Sequence, residues 1–263
     1  MYNVTKDIVL NAPIPEQTRT YKPVSHGQLI DLTINGIEKA GFKLDKELYS
    51  SAKGGAVANG RFTISNVMDS EMQLEVGWQN SYDKSLTLKF ALGVRIMICQ
   101  NGCVSGDYGA FKRKHVGAVQ TFTPNAITEY IKRAGESFKL MQDIREQTKQ
   151  IEVSKRVQAE LIGRMMIEDQ IIQSTQLNII ERELKKPTYD YGAKDSLWEL
   201  YQFTTFSMRQ AHPSLWMDNH IKAHNFFVNQ LGELVPSAIQ PMEAIEVPVE
   251  EVSRFSQLSM FSL

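Results

Sequence analysis

Residues 61–90 read RFTISNVMDSEMQLEVGWQNSYDKSLTLKF, and the period of their apolar residues decides the fold class. In Arg61-Phe62-Thr63-Ile64-Ser65, Met72-Gln73-Leu74-Glu75-Val76 and Leu86-Thr87-Leu88-Lys89-Phe90, apolar and polar residues alternate. A period of two sends successive side chains to opposite faces of a strand; a helix needs apolar residues at three- and four-residue spacing. Val94 to Cys99 adds a denser apolar run. Turn-forming residues separate these segments at Gly54-Gly55, Asp69-Ser70 and Asn80-Ser81-Tyr82-Asp83. The connections are too short for helical crossovers. Residues from Phe42 to about Val119 are therefore expected to form a sheet of at least four strands, mostly antiparallel.

On either side of this segment the period changes. Residues 1–24 read as an irregular arm with a short strand at Asp7–Leu10. Ser25 is placed to cap a helix, with Gln28 at the capping-box position, Leu29, Ile30, Ile34, Ile37 and Ala40 at helical spacing, and Gly41 to end it. Beyond the sheet, Thr123-Pro124 supplies a cap and a first-turn proline, and helical spacing runs to about Lys186, with breaks near Glu152–Ser154 and Ser174. Two more helices are expected at Ser196–Gln210 and Trp216–Leu231. The fold class is thus α+β. Residues 1–24 form an arm, 25–120 a helix plus antiparallel sheet, and 121–232 the helical part of the same body. Residues 233–256, punctuated by Pro236, Pro241 and Pro248 with Glu243, Glu246, Glu250 and Glu251, read as a disordered tether to a terminal peptide at 257–263.

Composition narrows the function classes. The 263 residues are 42% apolar and 22% charged with a net charge of -1, so any nucleic-acid surface must be local rather than a bulk property. Cys99 and Cys103 are too few for a disulfide framework and fit a reducing bacterial cytoplasm. The first 28 residues hold no apolar leader core, and no run approaches the ~20 apolar residues of a membrane span. No membrane association is expected.

Charge concentrates in one place. Between Lys84 and Gly117 lie Lys84, Lys89, Arg95, Lys112, Arg113 and Lys114, against the single acid Asp107. Trp78, Tyr82, Tyr108 and Phe111 lie among or near them, and His115 follows. Cations that neutralise phosphates, interleaved with rings that stack on bases, describe a single-strand-binding groove. The DNA-contacting set read from sequence is Lys84, Lys89, Arg95, Tyr108, Phe111, Lys112, Arg113, Lys114 and His115. The bland alternative is a solvated basic loop with its rings in the core.

Other motifs carry less chemistry. Cys99 to Gly109 is glycine-rich but lacks the Gly-Lys-Ser/Thr ending of a phosphate loop, and Asn101-Gly102 reads more simply as a hairpin turn. His220 and His224 share a helix face at metal-ligand spacing, yet position 221 is Ile, so they read as a surface pair. No Ser-His-Asp set, nucleophile elbow or two-carboxylate site is legible. No enzyme activity, metal or cofactor is expected.

Several of these stretches together resemble the phage/plasmid-like proteins, a family of unknown function. They are Pro23-Val24-Ser25-His26, Gly77-Trp78-Gln79-Asn80-Ser81-Tyr82-Asp83-Lys84-Ser85-Leu86, Cys99-Gln100-Asn101-Gly102, Arg113-Lys114-His115 and Ser196-Leu197-Trp198-Glu199-Leu200-Tyr201. The likeness covers roughly residues 20–230 and implies a mobile-element origin. The order of elements is also similar to the single-strand annealing recombinases, which implies a DNA groove beside a hairpin and a homo-oligomeric ring. Outside that region, Gln257-Leu258-Ser259-Met260-Phe261 resembles the Gln-Leu-Ser/Asp-Leu-Phe peptide that docks replication proteins on the DNA polymerase sliding clamp. Only Met260 departs from it. The leading expectation is a non-enzymatic accessory protein of DNA replication or recombination, encoded by a phage or plasmid, that binds single-stranded DNA and docks on the clamp. The alternative is a clamp-binding interaction module that inhibits or redirects host replication without DNA binding.

Overall fold

In the computed structural model, which describes residues 2–99, 101–104, 110–210 and 214–234, the alternating segments pair as expected into an antiparallel sheet. Its strands are β1 (Tyr2–Val4), β2 (Leu44–Ala52), β3 (Val57–Met68), β4 (Met72–Ser81), β5 (Leu88–Ile96), β6 (Gly102–Val104) and β7 (Ala110–Arg113). They run in the order β1 to β5, and β5 then shares its outer edge between β6 at one end and β7 at the other. The turn residues fall where the chain reverses: Gly54 and Gly55 between β2 and β3, Asp69 between β3 and β4. Asp69 Oδ1 accepts the backbone N–H groups of Glu71 and Met72, which fixes the second reversal.

The helical half follows its caps. Helix α2 (His26–Lys39) opens on Ser25, whose hydroxyl accepts from the Gln28 N–H at 3.0 Å, and Gly41 leaves it at φ +79°. Beyond the sheet come α3 (Val119–Lys132), α4 (Ala134–Lys149), α5 (Lys155–Ile167), α6 (Ser174–Lys185), α7 (Leu197–Ser207) and α8 (Trp216–Leu234). Ser154 and Ser196 cap α5 and α7. Ten of the eleven residues of α7 are buried, so this helix is central to the helical half.

Four expectations need correction. The apolar segment at Asp7–Leu10 is helix α1 (Lys6–Leu10), and the arm's strand is the earlier Tyr2–Val4. Leu86–Phe90 and Val94–Cys99 are not separate runs: β5 passes through Ala91 and Gly93, small residues that break the apolar alternation but not the pairing. Helix α3 starts at Val119, so Pro124 lies inside it and not in its first turn. Helix α8 continues through Glu233 and Leu234, which removes those two residues from the expected tether.

The sheet has two unlike faces. Phe62 and Ile64, Leu74, Val76 and Trp78, and Phe90, Leu92 and Val94 point to the main core beneath α2, α3 and α4. Each large side chain fully buried there stabilises the fold by about 1.5–3 kcal/mol. That core runs from Val9 to Phe227, so both halves share it. The opposite face carries Arg61, Thr63, Glu75, Gln79 and Lys89, and receives the first turn of α8 through Met217, packed with Ala91. Its charged Arg61, Glu75 and Lys89 are paired within the protein. Arg61 makes a two-pronged ion pair with Glu75 at 2.8 and 3.0 Å, and its guanidinium lies over the Trp216 ring.

Candidate nucleic-acid interface

The turn after β4 builds one wall of a cleft. Lys53 Nζ donates to Asp83 Oδ2 at 2.6 Å, and Ser85 donates its backbone N–H to Asp83 Oδ1 at 3.0 Å. Burial opposes the Asp83 charge, but these hydrogen bonds outweigh it and hold the carboxyl at about 2. The turn places Lys84 in the left-handed region at φ +63°, with its ammonium 4.8 Å from the centre of the Tyr21 ring. Tyr21 is held in turn by its hydroxyl, which donates to the Tyr82 carbonyl at 3.2 Å. The opposite wall is the exit of β7. Lys22 N–H donates to the His115 carbonyl at 2.8 Å, and the His115 ring tilts against Tyr21 with centroids 5.7 Å apart. Tyr21, Lys84, Ser85, Thr87, Lys114 and His115 line the resulting cleft of about 350 Å³.

The expected DNA-contacting residues divide around it. Lys84 and Lys114 are exposed at its rim, and His115 is buried within it. Lys112 and Arg113 belong to the adjoining edge strand β7, with Lys112 exposed. Three others do not join the cleft. Lys89 lies opposite Lys112 in register but is only 3% exposed, because its ammonium is taken by Asp218 Oδ2 at 2.6 Å and Gln79 Oε1 at 3.3 Å. Phe111 turns inward and stacks on Phe90 at 5.6 Å, edge-on to Tyr130. Arg95 sits six residues further along β5, about 20 Å from Lys89, opposite Gln73 and Gly102. Tyr108 and the clamp-like Gln257, Leu258, Ser259, Met260 and Phe261 lie outside the described residues. The sequence reading missed Tyr21 and Thr87. Tyr21 had a usable signal, since it sits between Arg19 and Lys22 in the arm; Thr87 had none.

The rings of Trp78 and Tyr82 also turn inward, into an interlock between two of the resembling stretches, Pro23–His26 and Gly77–Leu86. Asn80 Nδ2 donates to the Val24 carbonyl at 2.8 Å and lies 3.1 Å from His26 Nδ1. His26 Nε2 donates to the Gly55 carbonyl at 3.0 Å, and the His26 backbone N–H donates to the Tyr82 hydroxyl at 2.7 Å. This pattern requires the neutral imidazole, and burial lowers its pKa to about 4. The ring stacks on Tyr82 at 4.0 Å and faces Trp78 at 5.8 Å. The motif residues Pro23–His26 and Gly77–Leu86 therefore pin the base of α2 to β4 and orient the turn that carries Lys84.

Cys99 and Cys103 are buried thiols, and burial pushes Cys103 up to about 12, which keeps it protonated and poorly nucleophilic. His220 and His224 are a buried pair rather than the expected surface pair, because the face they share turns inward under the sheet and α7. His224 Nδ1 shares a hydrogen bond with the Tyr201 hydroxyl at 3.1 Å, and burial lowers His220 and His224 to about 3 and 4. Among the described residues no group of three metal-ligating side chains gathers, and no helix is long and apolar enough to cross a membrane.

No curated protein and no solved structure matches the chain. A family model does, over residues 17–256, a span that takes in Tyr21, the interlock and β7 and stops just short of Gln257. The chain therefore belongs to the family described as a domain of unknown function, DUF932.

Proposed function

We propose that this protein is an accessory factor of DNA replication or recombination, of phage or plasmid origin. It binds single-stranded DNA at the Lys84–Lys114 cleft and the adjoining edge of β7, and docks on the sliding clamp through Gln257–Phe261. The observation that carries the reading is the convergence of Lys84 and Lys114, thirty residues apart, on one cleft beside the ring of Tyr21. Lysines neutralise phosphates, and a ring at the same spot offers a base a face to stack on. A protein of net charge -1 with few such cations binds DNA weakly by itself. Linkage to a ring that encircles DNA raises the effective concentration and turns weak contacts into useful ones.

The test is the salt dependence of single-strand binding. With Lys84, Lys112 and Lys114 as three phosphate contacts, the log–log slope of affinity against salt is expected near -2. Changing all three to Ala flattens it without altering clamp binding. An affinity for DNA that ignores salt, or no affinity at all, refutes the DNA-binding reading. The second reading, a clamp-docking module whose body binds another protein, draws on a different observation. An open groove of about 480 Å³ between α5 and α6 is lined by the apolar Ile162, Met166, Leu177 and Leu184.

A further inference from the structure

The groove between α5 and α6 is shaped for an apolar chain. It encloses about 480 Å³ over Ile162, Met166 and Leu177. Gly163 keeps the α5 side low, since a Cβ there would meet nothing within 4 Å. A mid-helix glycine is less stable than alanine, so its open space serves no packing inside the body. One helix turn on, Ile167 continues the face of Gly163 and is 77% exposed, more than any other large apolar residue among those described. Continuous apolar surface of this kind marks a docking site.

We infer that the groove receives this chain's own C-terminal peptide, with Leu258 and Phe261 seated between α5 and α6. Reach favours this occupant. Helix α8 ends against another face of α5, where Arg164 donates to Gln230 Oε1 at 2.9 Å and pairs with Glu233 at 3.5 Å. A path around a helix ~10–12 Å across is on the order of 20–30 Å. A flexible chain as long as residues 235–256 spans roughly 26 Å. A link of that length gives a millimolar effective concentration, enough to fill a groove that would hold the same peptide weakly in trans. Length fits as well. In an extended peptide Leu258 and Phe261 lie ~10 Å apart, and the groove runs ~12 Å along α5, from Gln158 to Met166. Charge points the same way. Residues 235–263 carry Glu243, Glu246, Glu250 and Glu251 against Arg254. Lys155 and Lys185 line the groove and the exposed Arg156 and Lys186 follow them, against Asp195 and against Glu181, which pairs with Lys185 at 2.6 Å. An acidic segment thus meets a surplus of cations, which steers and registers the contact. The two anchors are those assigned above to the clamp, so groove and clamp compete, and the body withholds the peptide until a clamp is present. The contact within the chain does not itself depend on the clamp reading.

The experiment places a nitroxide on Ser256→Cys in the full-length protein, where the native thiols Cys99 and Cys103 are buried, and follows the methionine methyl signals by NMR. The Met166 methyl, in the groove, is expected to lose at least about half its intensity relative to the reduced label, and to regain it in two variants. Leu258→Ala/Phe261→Ala removes the anchors without touching the body. Gly163→Leu fills the groove at a position with room for a side chain. A Met166 signal that the label leaves sharp, or broadening that survives both variants, overturns the inference and leaves the groove to another protein. Mixing labelled chains with unlabelled, isotopically enriched ones tests exchange between copies, and equal broadening there overturns a contact within one chain. Calorimetry with the clamp reads the competition. A groove occupied about 90% of the time makes Gly163→Leu bind the clamp about tenfold tighter than the parent. Equal clamp affinity overturns the competition. If neither protein binds the clamp, the clamp reading fails, and the NMR result decides the groove contact by itself.

Discussion

The buried ion pair between β5 and α8 gives the sharpest test of which lysines this fold keeps for itself. Lys89 is 3% exposed, while its partner Asp218 is 34% exposed and holds it at 2.6 Å. The two ends of the pair therefore respond differently to removal. Asp218→Ala strands an ammonium in the protein with only Gln79 Oε1, at 3.3 Å, to receive it. Removing one partner of a buried pair costs about 3–5 kcal/mol, and the surviving amide contact and the half-open position of Asp218 place the expected loss near ~3 kcal/mol. Lys89→Met fills similar space without a charge and leaves Asp218 able to hydrate, so its expected loss is under about 1 kcal/mol. The double variant Lys89→Met/Asp218→Ala should then recover most of what Asp218→Ala loses. Urea denaturation followed by circular dichroism measures all three, with midpoints compared at constant slope. The same Lys89→Met protein should keep the wild-type salt slope on single-stranded DNA. If Lys89→Met is as destabilising as Asp218→Ala, or if it alone flattens the salt slope, Lys89 is not the internal anchor described above.

Further outcomes follow from the interlock, the buried imidazoles and the terminal peptide. A Cβ on Gly60 would lie 2.5 Å from Trp78 Nε1, so Gly60→Ala should cost about 1–3 kcal/mol by overpacking. Gly135, in α4 with open space around its Cα, should gain up to about 1 kcal/mol as Ala, in the same denaturation assay. His26, His220 and His224 have folded pKa values of about 4, 3 and 4, below the ordinary 6.5. For a depressed histidine the unfolded chain binds the proton first, so stability is complete above about pH 6.5 and declines as pH falls toward 4. The urea midpoint should drop between pH 7 and pH 5, and by less in a His224→Phe variant. Leu258→Ala/Phe261→Ala should abolish clamp binding by calorimetry, since it removes two anchors of about 1–3 kcal/mol each; undiminished binding would refute the docking peptide.

The elements were largely legible because their signals are local. A period of two at residues 61–90 forces side chains to alternate, and Ser25, Ser154 and Ser196 cap their helices through hydrogen bonds to residues only three positions on. Local signals erred where small or ring-closed residues mislead them. Ala91 and Gly93 hid the continuity of β5, and Pro124, tolerated inside α3, moved its start. The basic cluster was visible as composition, but its use was not. Lys89 and Lys112 are directly opposite on neighbouring strands, and only the arrival of Asp218 from a helix 129 residues away decides that one is an internal anchor and the other stays exposed. The same holds for Phe111, claimed by Phe90 and Tyr130, and for His220 and His224, whose shared face was read correctly and whose burial was not. Tyr21 reaches Lys84 across sixty-three residues because the interlock of His26, Asn80 and Tyr82 ties the arm to the end of β4. Period and capping are properties of neighbouring residues and so are written in the chain itself. Burial and ion pairing depend on which distant segment arrives at each face, and only the tertiary structure supplies that.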